Sequence, residues 1–356
     1  LLSFNCKITG YDAGVTDITK SLNEKGIEVS NKPNLENVKN ADIVVYTAAI
    51  HEDNEELKYA RENNKLVFER STFLGILMKE YENVLCISGT HGKSTTTGMV
   101  STIFVKANLN PTIMIGAHLP IINSNYNVGT KKYFIAESCE YVDSFLDFYP
   151  TSEIVLDIDD DHLDYFKTFD NIKNAFIKYV KLLPDNGLLI VNGDDKNCLD
   201  LVKFTYATTL TYGITNKNTD FFAVNIVFDN NGFPEFDVYY NDEFFMNLKL
   251  SVPGIHNVLN ALACTAISTE YGISKKDIQD ALIKFTGAHR RFEFKGKVNG
   301  ASIYDDYGHH PTEVKATAKA LKNKKYNKSW VVFQPHTYSR TKNLLDDFAK
   351  ALLNFD

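Results

Sequence analysis

The sequence feature that most constrains this 356-residue chain is an apolar run that leads directly into a glycine-rich loop. The run Asn83–Ser88 is typical of a buried strand, and the loop Gly89-Thr90-His91-Gly92-Lys93-Ser94-Thr95 separates it from a helical pattern. Glycines let backbone N–H groups approach phosphate oxygens, and the start of a helix adds a partial positive charge. Because Ile87 stands where the common spacing needs its first glycine, the pattern predicts a shortened phosphate-binding loop.

Two side chains of this loop have the chemistry that nucleoside triphosphates need. Lys93 can reach the β- and γ-phosphate oxygens, and the hydroxyl of Ser94 can ligate Mg²⁺. The alternative is a glycine-rich turn with an exposed lysine. The coincidence of strand, Lys-Ser pair and helix favours the phosphate site.

Short apolar runs alternate with helical patterns along most of the chain, which predicts an α/β protein with parallel sheets. We expect three units: residues 1–80, a central unit at 81–288 that carries the loop, and residues 289–356. Within the central unit, Phe, Val and Tyr alternate with polar residues over 221–250, which predicts antiparallel hairpins at a sheet edge. In the third unit we expect strands at 301–304 and 330–333 and a helix after Pro311. The outer units look partial, and we expect residues to be missing at both ends.

Composition narrows the possible partners. A formal net charge of −7 without a long Lys/Arg run argues against nucleic acid or an anionic membrane. The five cysteines lie far apart without a Cys-x-x-Cys pair, which favours a reducing cytoplasm over a disulfide framework or a zinc site. No apolar run approaches the roughly 18 residues that a membrane-spanning helix needs. We expect a cytoplasmic protein that is a monomer or a weak homodimer.

Further polar clusters follow strand-like runs, where ligands bind in open α/β sheets. The carboxylates of Glu137-Ser138-Cys139-Glu140 can complete a Mg²⁺ shell, although by itself this stretch is better explained as acids of a loop or a helix start. His162 can touch a second metal or a phosphate, although a solvated acidic turn explains its neighbourhood equally well. Asn257 can read an adenine edge or simply cap a helix. The stretch 305–311 can reach into a cleft, and Arg340 suits a carboxylate or a phosphate.

Taken together, these motifs resemble the Mur ligase family. The resemblance rests on seven stretches in the family's order: residues 89–94, 137–146, 159–166, 254–263, 290–292, 305–313 and 334–341. It implies an α/β, three-domain architecture: a central P-loop ATPase with a parallel sheet, and partial Rossmann-like domains at both ends. The first domain would hold a UDP-sugar, and the third would close over the nucleotide.

The resemblance also implies residue roles. The cofactor-binding set would be Gly89, Thr90, His91, Gly92, Lys93, Ser94, Thr95, Asn257, Arg291 and Asp306. Ser94 and Glu140 would hold a first Mg²⁺ and His162 a second. Tyr307, His309 and Arg340 would contact the amino acid, and the catalytic residues would be Lys93, His162, His309 and Arg340.

The stretches 305–311 and 334–341 are typical of the family member that joins L-alanine to UDP-N-acetylmuramate during peptidoglycan synthesis. The implied reaction consumes ATP through an acyl phosphate. Two alternatives stay open. One is a related ligase that joins a preformed peptide to UDP-N-acetylmuramate, and the other is a nucleotide-binding fragment without turnover.

Overall fold

The structure, a computed structural model, describes residues 1–356 and divides into two compact units, Leu1–Ile76 and Leu77–Asp356. The first unit begins with a 3₁₀ helix at Leu2–Phe4 and continues through β1 (Thr9–Tyr11), α1 (Asp17–Glu24), β2 (Glu28–Ser30), α2 (Leu35–Lys39), β3 (Ile43–Tyr46), α3 (Glu55–Glu62), β4 (Leu66–Glu69) and most of α4 (Arg70–Met78). Strands β1 and β2 form one parallel pair and β3 and β4 another. The parallel α/β character is therefore confirmed, in two small sheets rather than one.

The second unit is organised around a ten-stranded sheet. Its strands are β5 (Asn83–Ser88), β6 (Thr112–Leu119), β7 (Ser124–Asn127), β8 (Tyr133–Glu137), β9 (Ser152–Val155), β10 (Leu188–Asn192), β11 (Thr208–Gly213), β12 (Phe221–Phe228), β13 (Pro234–Tyr240) and β14 (Glu243–Lys249). Their order is β14-β13-β12-β11-β10-β9-β5-β8-β6-β7. Seven neighbouring strands from β12 to β6 are parallel, and the antiparallel strands lie at the two edges. The hairpins predicted for 221–250 are confirmed as one of those edges.

Helices cover this sheet and bury its apolar side chains. They are α5 (Lys93–Lys106), α6 (Leu163–Phe166), α7 (Phe169–Val180), α8 (Lys196–Leu201), α9 (Ile255–Glu270) and α10 (Lys275–Lys284), with 3₁₀ helices at Pro120–Ile122, Tyr141–Asp147 and Val202–Phe204. Helix α5 packs against α9 and α10, and the main core runs from β5 to Phe285. No helix combines the length and the apolar character that crossing a bilayer requires.

The C-terminal part of the second unit has a much smaller core. It contains β15 (Glu293–Val298), β16 (Ala301–Asp305), α11 (Pro311–Lys322), α12 (Tyr338–Asn343) and α13 (Leu345–Leu352). Strands β15 and β16 form an antiparallel hairpin, and Val314, Phe348 and Ala351 form the buried cluster between α11 and α13.

The prediction of a strand at residues 330–333 is wrong. No neighbouring strand pairs with this stretch, and Val332 is 100% exposed. High β-propensity does not make a strand without a partner to complete the hydrogen-bond ladder. The predicted helix after Pro311 is confirmed: His310 and Glu313 form a capping box at the start of α11.

Candidate active site

The ends of three adjacent parallel strands bring the predicted clusters together. In the sheet, β5 lies between β8 and β9, and Ile87 is in register with both Glu137 and Ile154. Parallel strands end at the same edge of a sheet. The carboxyl ends of these strands therefore bring together the loop 89–95 after β5, residues 137–140 after β8 and residues 157–162 after β9.

Two glycines give the loop its shape. Gly89 has φ +130°, and a Cβ at this position would lie 2.9 Å from the Cβ of Leu156, which sits just beyond β9. Gly92 has φ +83° and is the N-cap of α5. Only glycine adopts such backbone conformations without strain and admits this close approach. The strand, loop and helix predicted from the sequence are confirmed.

Lys93 and Ser94 each face a carboxylate that follows β8. The Lys93 Nζ donates to the carbonyl oxygens of Gly89 at 2.5 Å and Thr90 at 3.1 Å, and lies 3.0 Å from Glu140 Oε2. Burial disfavours the charged amine, but the Glu140 carboxylate outweighs it and raises the pKa of Lys93 above its usual value. The Ser94 Oγ donates to Glu137 Oε1 at 3.0 Å. Ser94 therefore contacts Glu137 here, whereas the predicted metal residue Glu140 pairs with the lysine.

His91 lies between two carboxylates. Its Nε2 is 3.0 Å from Asp159 Oδ2, and its Nδ1 is 3.5 Å from Glu313 Oε1 on α11. Burial alone would lower the pKa of His91, but hydrogen bonds to Asp159 and Glu313 raise it to about 10. The imidazole is therefore a cation that joins the phosphate loop to α11.

The same histidine belongs to a trio whose ligand atoms all lie within 4.8 Å of one another: His91, Asp159 and His310. The ring nitrogens of His310 are already engaged, since Nδ1 accepts from Thr312 N and Nε2 donates to the carbonyl oxygen of Asp160. A protonated His91 offers no lone pair to a metal. In this arrangement the three side chains therefore bind one another and their neighbours through hydrogen bonds and the His91–Asp159 ion pair.

A cavity beside the loop collects most of the residues predicted to hold the nucleotide. His91, Gly92, Thr95, Asn257, Arg291 and Asp306 all line it. Asn257 is buried, where its amide donates to the Pro253 carbonyl and its oxygen accepts from Asn260. Each of these atoms keeps one further hydrogen-bonding position, so Asn257 can still pair with a base.

Arg291 and Asp306 reach this cavity from the C-terminal segment. Arg291 Nη2 donates to Ser94 Oγ at 3.3 Å. Asp306 accepts from the backbone N–H groups of Phe292 and Gly308, and burial raises the pKa of its carboxyl. One residue thus touches the phosphate loop directly, while the other shapes the turn after β16.

A second cavity contains the residues expected on the amino-acid side. His162, Tyr307, His309 and Arg340 line it together with Tyr141. The ring of His162 packs on Tyr141 with centroids 4.6 Å apart. Lys93 lines neither cavity, so the residues predicted to be catalytic are divided between the loop and this second cavity.

Arg340 is held by a partner that the sequence did not reveal. Its Nε and Nη2 donate to Asp161 Oδ1 at 3.0 and 2.9 Å, and both side chains are nearly buried. Burial would raise the pKa of Asp161, but His162 and Arg340 outweigh it and lower the pKa. The remaining donors of the guanidinium can still bind a ligand carboxylate.

The tautomer of His309 follows from its contacts. Its Nδ1 lies 2.9 Å from the carbonyl oxygen of Tyr307, which can only accept, so Nδ1 carries the hydrogen and Nε2 the lone pair. Burial lowers the pKa of His309. A neutral imidazole with a free Nε2 can take a proton.

Several residues contact the site in ways that were not predicted from the sequence. Glu137, Asp159, Asp161 and Glu313 pair with predicted residues, and the half-buried His256 lines the nucleotide cavity with a pKa lowered to about 4 by desolvation. The capping-box spacing between His310 and Glu313 was the one signal present in the sequence. The other pairings join residues far apart in the chain.

Family models match three stretches of the chain: the Mur ligase family catalytic domain at residues 2–82, the Mur ligase middle domain at 87–268, and the Mur ligase glutamate ligase domain at 290–356. The UDP-N-acetylmuramate–L-alanine ligase of Acetivibrio thermocellus is 47% identical over the whole chain, which covers 76% of that protein. The ligase of the same name from Clostridium acetobutylicum is 49% identical, with 77% of it covered.

Solved structures agree. The UDP-N-acetylmuramate-alanine ligase of Thermotoga maritima superposes with a TM-score of 0.84 at 27% identity, over 100% of this chain and 79% of its own. A murein peptide ligase from Psychrobacter arcticus shares the fold, with a TM-score of 0.75 at 24% identity over 93% of this chain and 76% of its own. With matching models along its length and relatives at nearly half identity, this chain belongs to the Mur ligase family.

Proposed function

We propose that this chain uses ATP to join L-alanine to the carboxylate of UDP-N-acetylmuramate in peptidoglycan precursor synthesis. The observation that carries the proposal is the pair of neighbouring cavities beside one sheet edge. One is bordered by a phosphate loop, and the other is lined by His309 and Arg340. The relatives that are 47% and 49% identical over the whole chain bear the name of this activity.

The first half of the reaction belongs to the phosphate loop. An oxygen of the muramyl carboxylate attacks the γ-phosphorus of ATP, the bond to the ADP oxygen breaks, and an acyl phosphate forms. Lys93 stabilises the negative charge on the phosphoryl oxygens once Glu140 releases it. The backbone N–H groups of residues 89–95 cradle the phosphates.

The oxygen donors beside Lys93 fit Mg²⁺. Ser94, Glu137 and Glu140 supply one hydroxyl and two carboxylates, which are ligands that Mg²⁺ prefers. Bound there, Mg²⁺ would neutralise charge on the moving phosphoryl group. His162, which lines the second cavity, is proposed to hold a second ion.

The second half belongs to the other cavity. The alanine amine attacks the acyl carbon, phosphate leaves, and the nitrogen loses a proton. His309 Nε2 accepts that proton, and Arg340 binds the alanine carboxylate with the donors that Asp161 leaves free. Tyr307 borders the same space, while Asn257, Arg291 and Asp306 hold the nucleotide.

The family also supports a division of labour along the chain. We propose that residues 1–80 bind the UDP-sugar, that residues 81–288 form the ATP-binding domain, and that residues 289–356 belong to a third domain. The protein acts in the cytoplasm, as a monomer or a weak homodimer, without nucleic acid or membrane insertion.

The test is ADP release by the purified protein with each substrate omitted in turn. We expect ADP only when ATP, Mg²⁺, UDP-N-acetylmuramate and L-alanine are all present, and release slower by about 100-fold or more from Lys93→Ala. Turnover with the preformed tripeptide in place of alanine would instead support a ligase acting on preformed peptides. Nucleotide binding without any turnover would leave only a nucleotide-binding chain.

A further inference from the structure

Glu313 contacts two parts of the site at once. Its Oε2 accepts from the backbone N–H groups of His309 at 2.8 Å and His310 at 3.2 Å. Its Oε1 lies 3.5 Å from His91 Nδ1 and 4.0 Å from Arg291 Nη1. One carboxylate therefore joins the turn at residues 305–310, which carries Tyr307 and His309, to the phosphate loop.

His91 is fixed from the opposite side as well. Its backbone N–H donates to Asp157 Oδ1 at 2.8 Å, and its Nε2 pairs with Asp159 Oδ2 at 3.0 Å. Asp159 also accepts from the hydroxyl of Thr312 in the first turn of α11 at 2.8 Å. The start of α11 thus contacts the loop cluster through two side chains, Thr312 and Glu313.

The position of His91 gives this bridge a consequence. His91 lies two residues before Lys93 in the phosphate loop, and His309 lies four residues before Glu313 in the turn. A change in the loop that moves His91 must move or break its contact with Glu313, and the N–H contacts of Glu313 carry that change to the turn.

We propose that Glu313 is a positioning residue that couples the nucleotide-occupied phosphate loop to the 305–310 turn through its ion pair with His91. This inference rests on the proposed function only in assigning the turn to the amino-acid side. In this proposal neither Glu313 nor His91 takes part in a bond-forming or proton-transfer step. Both set where His309 stands when ATP is bound.

Two variants separate coupling from helix capping. Glu313→Gln keeps an oxygen that can accept from the His309 and His310 amides but removes the charge facing His91. His91→Asn removes the imidazole and leaves the capping box intact. Glu293→Gln is the matched control, because Glu293 also accepts a backbone N–H, from Arg290, and pairs with a histidine, His289, without contacting the loop.

The measurement is hydrogen exchange of residues 305–313 with and without Mg²⁺ and a non-hydrolysable ATP analogue. In the wild type and in Glu293→Gln we expect the analogue to slow exchange at least fivefold. In Glu313→Gln, His91→Asn and the double variant we expect less than a twofold effect at saturating analogue, and in Glu313→Gln we expect the analogue's Kd to change by less than threefold. The double variant should be no worse than either single one, because both remove the same link.

Retained fivefold protection in Glu313→Gln or in His91→Asn would overturn the proposal, as would additive losses in the double variant. If Glu313→Gln does not fold, His91→Asn decides alone. Steady-state kinetics add a second readout: we expect Glu313→Gln to lose about tenfold in kcat and gain in KM for alanine, with the KM for ATP little changed. Because the exchange experiment needs no acceptor substrate, nucleotide-dependent protection without alanine-dependent turnover would refute the proposed function and keep the coupling.

Discussion

The phosphate loop and the 305–310 turn lie side by side but are held by different means. The loop continues from β5, which has a neighbouring strand on each side in the ten-stranded sheet, and the helix α5 that follows the loop is buried against α9 and α10. The turn continues from a two-stranded hairpin, and the core of this segment contains three buried residues, Val314, Phe348 and Ala351. The loop's geometry is therefore built into its own sheet, whereas the turn depends on polar contacts with residues that follow the strands of that sheet.

Removing the lysine of the loop should have the largest effect. Lys93→Ala takes away the cation facing the transferred phosphoryl group, and we expect kcat to fall by about 100- to 1000-fold. The melting temperature should also fall, because the buried Glu140 carboxylate loses the cation it pairs with. ADP release measures the first quantity and thermal unfolding the second. A variant with more than a tenth of wild-type turnover would contradict the assignment of Lys93.

Truncating a side chain of the small C-terminal core should loosen the turn and leave the loop unchanged. Phe348→Ala removes a buried ring between α11 and α13, and we expect a local loss of about 3 kcal/mol. Hydrogen exchange should then rise across 311–352 and stay unchanged across α5. The KM for alanine should increase, with nucleotide affinity within twofold of the wild type. Equal loosening of α5 would show that the two regions form one cooperative block.

Acid should act on the two regions in opposite directions. Asp161 has a lowered pKa, so its pair with Arg340 stabilises the fold above the unfolded value of about 4 and is lost as the pH falls through the lower folded value. Burial raises the pKa of Asp157, beside the loop, to about 6. The protonated Asp157 carboxyl therefore adds to the free energy of unfolding at low pH, and this stabilisation is lost as the pH rises through 6.

Hydrogen exchange at pH 3 and pH 7, corrected for intrinsic rates, checks this contrast. We expect α12 and the 305–310 turn to lose protection at pH 3, with α5 keeping or gaining protection. Asp161→Asn should weaken α12 at pH 7 and remove most of its pH dependence. Uniform loss of protection across both regions would contradict the contrast.

A single surface hydrogen bond between the regions should matter least. Thr312→Ala removes the hydroxyl that donates to Asp159 at 2.8 Å, which we expect to cost about 1 kcal/mol. Thr317→Val serves as a control, because its hydroxyl contacts Asp306 within the C-terminal segment at 3.3 Å. Urea unfolding and the KM for alanine measure the difference. A tenfold change in kcat from Thr312→Ala would mean that the bond does more than hold two surfaces together.

The sequence predicted the loop well because its signals are local. The apolar strand, the two glycines with positive φ and the Lys-Ser pair lie within a dozen residues, and each has a direct steric or electrostatic reason. The hairpins from β12 to β14 were predicted equally well from the alternation of apolar and polar residues. The helix that begins at Pro311 was predicted from the proline alone.

The pairings could not be predicted in the same way. Asp161 and Arg340 are 179 residues apart, and Ser94 and Arg291 are 197 apart, so only the folded sheet brings them together. The wrong strand at 330–333 has the same origin, since propensity cannot supply a neighbouring strand. Local pattern therefore identified the chemical groups, and tertiary structure decided which of them meet.

The most direct test of the proposed reaction follows an oxygen atom. UDP-N-acetylmuramate labelled with ¹⁸O in its carboxylate is incubated with ATP, Mg²⁺, L-alanine and the protein, and the released phosphate is analysed by mass spectrometry. Activation as an acyl phosphate predicts one ¹⁸O in the phosphate for each alanyl product formed, with labelled phosphate and alanyl product falling together by about 100-fold or more in Lys93→Ala. Alanyl product accompanied by unlabelled phosphate would contradict the mechanism assigned to this site.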